Sequence, residues 1–313
     1  MKKIKLGGAV EASAIGLGCM RMENLAASDA RKVIETAYDS GITFFDHADC
    51  YGFGKSEEVF AQALTETGIR REDLVIQSKC GIRKGRGRYP FSRQYYDFSK
   101  EHILEAVDGI LKRLETDYLD ILLLHRPDTL VEPEEVAEAF DILAQKGKVR
   151  YFGVSNESPA LMELLQKELN QRLIVNQLQF SPVHACMVNQ QIFMNLTVDQ
   201  ATGRSCEILE YCRNKNVTIQ AWSPFQYGFF EGTFLGNDKY PELNQVLNDF
   251  AGEKGVTPAA IVIAWIQRHP AGMQPIIGTM NPQHIRDSVM ADEIELTREE
   301  WYELYSAGGN ALP

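Results

Sequence analysis

The feature that most constrains the fold is an alternation running the length of the chain, in which short β-rich apolar runs are separated by stretches of helical spacing. The runs are AIGLG (14–18), ITFFD (42–46), LVIQS (74–78), LDILLLH (119–125), YFGVS (151–155), LIVNQLQ (173–179), VTIQAW (217–222) and MQPIIG (273–278). Between them, Ile103, Val107, Ile110, Leu111 and Leu114 recur on one helical face behind Ser99, a natural N-cap. Pro133 at a first helical position, Val136, Phe140 and Leu143 on one face, and Gly147 as a stop repeat the pattern. Ser158-Pro159, Thr257-Pro258 and Asn281-Pro282 are further helix starts, and Thr297 to Glu300 (TREE) reads as a capping box.

At 313 residues and 44% hydrophobic composition the chain can fill one large α/β barrel or two modest domains. Eight strand and helix repeats with no linker-like composition favour the first: one α/β domain over residues 1–313, a (β/α)8 barrel. A doubly wound dinucleotide fold would show G-x-G-x-x-G after its first strand. GLGCMR (16–21) stops two glycines in, and GFGKSEE (52–58) lacks the glycine of a phosphate loop. Both read as turns, with Ser56 capping the next helix.

A formal charge of -11 argues against nucleic acid or an anionic membrane as the main partner. The densest basic stretch, Arg83 to Arg93, is interrupted by Gly and Pro and reads as an exposed loop. The apolar part of the N-terminal segment is broken by Gly, Glu and Ser, and no window approaches a membrane span. The six cysteines form no CxxC pair, so a cytoplasmic chain with reduced thiols is expected, working on a small molecule as a monomer or small homo-oligomer.

In such a barrel the chemistry sits where the strands end. Asp46, Lys79, His125 and Asn156 each close or directly follow an apolar run. Each has a bland reading alone, as a cap, an exposed lysine or a core histidine, but unrelated surface residues have no reason to fall at the same end of successive strands. A Lys79–Asp46 pair keeps both groups charged in a partly desolvated mouth. Tyr51 nearby would feel the ammonium. At an effective dielectric of about 20, a unit charge at about 4 Å is worth roughly 4 kcal/mol, enough to lower a phenol pKa by a few units before Asp46 takes some back. Tyr51 would then donate a proton near neutral pH, and a neutral His125 would orient the same substrate oxygen. The set offers a proton and polarisation at an oxygen, with no nucleophile and no metal-ligand cluster. Carbonyl reduction needs that, with hydride from elsewhere.

GLGCM (16–20), FFDHADCYGFGKSE (44–57), QSKCG (77–81), LDILLLHRPD (119–128), GKVRYFGVSN (147–156), NQLQFSPVH (176–184), AWSPF (221–225) and PIIGTMNP (275–282) together resemble the aldo-keto reductase family, in its bacterial branch with a short C-terminal tail. The resemblance covers essentially the whole chain and implies a barrel with an N-terminal β-hairpin. It implies a catalytic tetrad of Asp46, Tyr51, Lys79 and His125, with Tyr51 as general acid. It also implies NADPH, or NADH, bound in extended form without a Rossmann fold. Ser155, Asn156 and Gln177 would hold the nicotinamide carboxamide and Trp222 would stack on its ring. Ser223 and Phe225 would begin the pyrophosphate loop, while Gly278, Thr279 and Asn281 would meet the adenosine phosphate at a helix start.

Two departures stand out. FQYGFFEG (225–232) replaces a glycine-rich run, and His284, with Arg286 two residues on, stands where a basic residue is usual, which weakens the electrostatic case for NADPH over NADH. His47, Phe53, Arg126 and Tyr227, with Phe229 and Phe230, are expected around a mouth that accepts apolar carbonyl compounds and tolerates an anionic group. Asp49 and Cys50 are expected to be structural. Two other functions compete. A Schiff-base lysine at position 79 is disfavoured by its company with Asp46 and Tyr51. A slow nicotinamide-binding sensor or regulatory subunit on the same fold would bind cofactor yet turn over little.

Overall fold

The computed structural model describes residues 1–84 and 94–313, so most of the basic stretch expected as a loop lies outside the described residues. The chain opens with a hairpin of β1 (Lys3–Leu6) and β2 (Val10–Ser13), followed by β3 (Gly16–Gly18), α1 (Ala27–Asp39), β4 (Phe44–Asp46), α2 (Lys55–Thr65) and β5 (Val75–Cys80). A short antiparallel pair, β6 (Ile82–Lys84) and β7 (Gln94–Tyr96), precedes α3 (Lys100–Arg113), β8 (Leu119–Leu124) and α4 (Pro133–Gln145). Then come β9 (Val149–Ser155), α5 (Pro159–Gln166), β10 (Leu173–Gln179), α6 (Cys186–Ile192), α7 (Ile208–Lys215) and β11 (Thr218–Trp222). A second small pair, β12 (Gln226–Tyr227) and β13 (Gly232–Thr233), leads to α8 (Pro241–Lys254), α9 (Pro258–Arg268), β14 (Gln274–Ile277), α10 (Pro282–Val289) and α11 (Arg298–Ala307).

Eight of these strands close a parallel barrel in the order β3, β4, β5, β8, β9, β10, β11, β14. They are the eight runs expected from the sequence, with ends within two residues. The helix starts behave as read: the Ser99, Ser158, Thr257 and Asn281 side chains each accept from a first-turn amide, and Thr297 with Glu300 completes the capping box. Ser56 does not cap. α2 begins one residue earlier, behind Gly54 at φ +89, and the Ser56 hydroxyl is spent on the carbonyl of Cys19.

The inside of the barrel is filled by Phe44, Ile121, Leu123, Val175 and Ile276, onto which the hairpin places Leu6, Val10 and Ala12. Ile174, Val175, Thr218 and Phe44 lie toward the starts of their strands, so the hairpin closes the end opposite the strand termini. Gly7, at φ +53, donates to Thr218 Oγ1 at 2.8 Å, and a Cβ there would sit 2.5 Å from that of Ile174. A larger core separates barrel from helices. There Trp265 and Trp301 stack at 4.9 Å and exchange indole-to-carbonyl hydrogen bonds of 2.9 and 3.0 Å, tying α11 to α9. No helix among the described residues is long and apolar enough to cross a membrane.

Candidate active site

With the hairpin closing one end, the strand termini meet at the other, around a cleft of ≈1470 Å³. Register explains how the charged corner forms. Asp46, last in β4, pairs with Gln77, and alternation puts Gln77 and Lys79 on the same inward face of β5. Lys79 therefore stands one inward step above Asp46 and reaches it: Lys79 Nζ donates to Asp46 Oδ2 at 2.7 Å, to the His47 carbonyl at 2.8 Å and to Tyr51 Oη at 3.1 Å. Lys79 is 0% exposed and Asp46 2%. Burial alone would lower the ammonium's pKa, but the attractions of Asp46 and Tyr51 outweigh it and hold Lys79 above its ordinary value.

Gln77, which the sequence reading passed over, fixes the other carboxylate oxygen of Asp46 at 2.7 Å and also donates to Gln220 Oε1 at 2.9 Å. Gln177 donates to that same oxygen at 3.1 Å, while Gln220 donates to Gln274 at 2.8 Å and Gln274 to the Ser13 carbonyl at 2.8 Å. Four glutamines thus wire the corner down through the barrel. The only signal for them is an amide inside an otherwise apolar run, as in LVIQS and VTIQAW. Behind the wall, Ser78 turns outward to Glu57, which also accepts from Arg113 at 2.7 Å.

The expected lowering of the Tyr51 pKa does not occur. Removing a phenolate from water outweighs the pull of Lys79, whose charge Asp46 partly cancels, and the phenol is pushed up to about 12. His125, whose backbone amide extends the ladder to Cys80 at 2.9 Å, is held well below its ordinary value by burial and by Lys79 and Arg126, so it is neutral. Its ring stands edge-on to Tyr51, centroids 5.9 Å apart. Cys50, read as structural, lines the cleft with its Sγ 3.6 Å from His125 Nδ1.

Ser155, Asn156, Gln177, Trp222, Ser223, Phe225, Gly278, Thr279, Asn281 and His284 all line the cleft, as does Arg126. Asn156, at φ +60, bridges Trp222 Nε1 (3.3 Å) and Ser155 Oγ (2.8 Å). Phe230 lies along Trp222 at 5.9 Å. Arg21, not singled out in the sequence, also lines the cleft and donates to the Gly278 carbonyl at 2.9 Å.

Lys79 is buried behind Asp46 and Tyr51 and does not itself line the cleft, and four other expected residues also stand outside its wall. His47 follows Asp46, so alternation turns it to the far side of the strand, where it packs edge-on against Phe60 at 4.5 Å with both ring nitrogens unpartnered. Phe53 lies in a turn with positive φ at Gly52, Phe53 and Gly54 that swings its ring outward, 78% exposed. Tyr227, the last residue of β12, packs on Tyr240 at 5.4 Å. Arg286 turns along α10 to Gln283.

A model of the aldo/keto reductase family matches residues 14–308. The chain belongs to that family. Its relatives include an uncharacterised oxidoreductase of Bacillus subtilis, YcsN, 35% identical over 98% of each chain. A 6-dehydroglucose reductase of Agrobacterium fabrum is 34% identical over 98% of this chain and 97% of its own. The crystal structure of an aldo-keto reductase from Klebsiella pneumoniae in complex with NADPH is similar at a TM-score of 0.76 and 26% identity, covering 100% of this chain and 96% of that one. As a member of this family the chain is an oxidoreductase.

Proposed function

We propose that the chain reduces aldehydes and ketones to alcohols with NADPH, Tyr51 giving the proton. The observation that carries this reading is the 3.1 Å contact from Lys79 Nζ to Tyr51 Oη. An ammonium has no lone pair, so Tyr51 can only accept from Lys79, and its own proton is left to point elsewhere. Tyr51 lines the cleft, and that proton is available to a substrate oxygen there.

A phenol near 12 keeps its proton in the resting enzyme and gives it up only to a stronger base, which a carbonyl oxygen becomes as it turns into an alkoxide. Lys79 then stabilises the phenolate left behind, and Asp46 and the His47 carbonyl keep the ammonium in place. Neutral His125 donates to the same oxygen from the ring nitrogen not occupied by Cys50. The nicotinamide, when bound, supplies the hydride.

The donor set fits such a cofactor. The cleft exceeds the roughly 300–1,000 Å³ of a drug-sized site, leaving room for a dinucleotide and a substrate together. Ser155, Asn156 and Gln177 cluster as amide and hydroxyl groups beside the tetrad, suited to a carboxamide. At Gly278 a Cβ would sit 3.0 Å from Arg21 Nη1, so the bare backbone keeps that approach open. Arg21 adds a fixed positive charge beside Thr279 and Asn281, favouring a cofactor with the extra phosphate.

NADPH oxidation across an aldehyde panel tests the reading. Sugar-derived aldehydes belong in that panel, given the name of the Agrobacterium relative. Tyr51→Phe should lower kcat by about 10²-fold or more while leaving NADPH fluorescence titration nearly unchanged. Normal turnover by that variant excludes Tyr51 as the acid, and tight NADPH binding without turnover by the parent chain favours a sensor.

A further inference from the structure

Next to the cleft, past Arg126 and Trp222, lies a side cavity of ≈280 Å³. Arg126, Asn156, Trp222 and Phe229 belong to the walls of both, so the two spaces adjoin. The outer wall comes from the segment between α6 and α7, which carries Arg204. That segment is docked: Ser205 Oγ donates to Gln190 Oε1 at 2.6 Å and the Glu207 amide to the same oxygen at 3.4 Å.

The charge of this cavity is one-sided. Other arginines enter ion pairs among the described residues, whereas neither Arg126 nor Arg204 takes part in one. Among the described residues the one carboxyl on the wall, Glu157, is 2% exposed and neither oxygen has a hydrogen-bond partner. Burial and the charge of Asp128 push it up to about 8, so it carries a proton at neutral pH. Burial likewise lowers His184, leaving it neutral. A chain of formal charge -11 has therefore set around this space two guanidinium groups that, among the described residues, have no ion-pair partner, Arg126 lying 5.7 Å over the Trp222 ring, and the one carboxyl found there is protonated. Arg126 is held below its ordinary value by burial, and a bound anion would relieve that cost.

We propose that the side cavity is an anion subsite and that the substrate is a carbonyl compound bearing a carboxylate or a phosphate monoester, which Arg126 and Arg204 hold while the carbonyl meets Tyr51. The proposal rests on the reductase reading above and narrows it to a substrate class. Guanidinium groups suit either anion, since both offer paired oxygens to a planar donor fork. Trp222 and Phe229 supply apolar walls for the carbon skeleton between the two ends.

The test is kcat/KM at low salt for matched pairs: para-carboxybenzaldehyde against benzaldehyde, and glyceraldehyde phosphate against glyceraldehyde. The anionic member of at least one pair should be favoured by about 10-fold, and the pair that shows it identifies the anion. Added salt should shrink that ratio, and Arg204→Glu, on an exposed loop, should bring it to one or below. Ratios near one in both pairs, or a ratio unmoved by Arg204→Glu, overturn the proposal while leaving the reductase intact. If no aldehyde is turned over, the reductase reading has failed instead. The subsite is then judged by calorimetry of the NADPH-loaded chain with para-carboxybenzyl alcohol against benzyl alcohol, where equal affinities refute it.

Discussion

Replacing Lys79 with Met should separate what the charged corner does for the fold from what it does for the reaction. The ammonium is fully buried and meets Asp46 at 2.7 Å, while Asp46 is itself 2% exposed. Without Lys79 the carboxylate keeps a single charge-neutral donor, Gln77, at 2.7 Å. Breaking a buried pair from one side costs about 3–5 kcal/mol because a charge is left without compensation. At about 2 °C per kcal/mol for a chain this long, Lys79→Met should lower Tm by roughly 6–10 °C. Adding Asp46→Asn removes the stranded charge, so the double variant should regain most of that loss, ending within about 2 kcal/mol of the parent. Turnover should behave differently. Lys79→Met, Asp46→Asn and the pair together should each reduce aldehydes about 10²-fold or more slowly, because the ammonium that receives the phenolate is missing or displaced in all three. Thermal melts and NADPH oxidation on the same four preparations decide it. A single variant that melts with the parent, or a double variant that recovers turnover along with stability, would refute the reasoning.

Three further outcomes follow from the same geometry. Because the Tyr51 phenol is pushed up to about 12 and His125 is neutral, the acid form persists at neutral pH. The kcat of reduction should then be level between about pH 6 and 9, and an inflection near the ordinary imidazole value would contradict the neutral His125. Arg21→Ala should raise KM for NADPH about 5-fold and leave KM for NADH nearly unchanged, measured side by side with one aldehyde. Glu157 has its folded pKa raised from 4.5 to about 8, so folding takes up a proton in that window and the stability linked to it falls as pH rises, being lost above about 8. Urea denaturation at about pH 6 and 9 should show Glu157→Gln losing less stability than the parent across the interval, by several kcal/mol at most.

The barrel was legible because its strands are short, apolar and punctuated by capped helices, so pattern and length agreed at every repeat. The gathering of Asp46, Tyr51, Lys79 and His125 was legible for a related reason: an ionisable residue ending an apolar run is a local anomaly, and Asp46, Lys79 and His125 are three of them. What escaped the sequence depends on a direction or on an environment. His47 is one residue from Asp46, and that single step carries it to the other face of the strand. Phe53 is aimed by three successive positive φ values that composition does not reveal in a phenylalanine. The pKa of Tyr51 turned on desolvation, a property of the folded surroundings, where the sequence offered only the attractive neighbour. Gln77 and Arg204 look like ordinary polar residues until the sheet closes around one and a docked loop presents the other.

The glutamine relay has an end that cannot be negotiated. The Ser13 carbonyl can only receive a proton, so Gln274 must turn its nitrogen toward it and its oxygen toward Gln220. Gln220 is then obliged to face Gln77 and Gln177 with oxygen, and those two must answer with nitrogen. One peptide oxygen at the sealed end of the barrel dictates the handedness of every amide up to Asp46. Reversing any single amide would set like against like at every relay neighbour it has, so these positions are free to change only in concert.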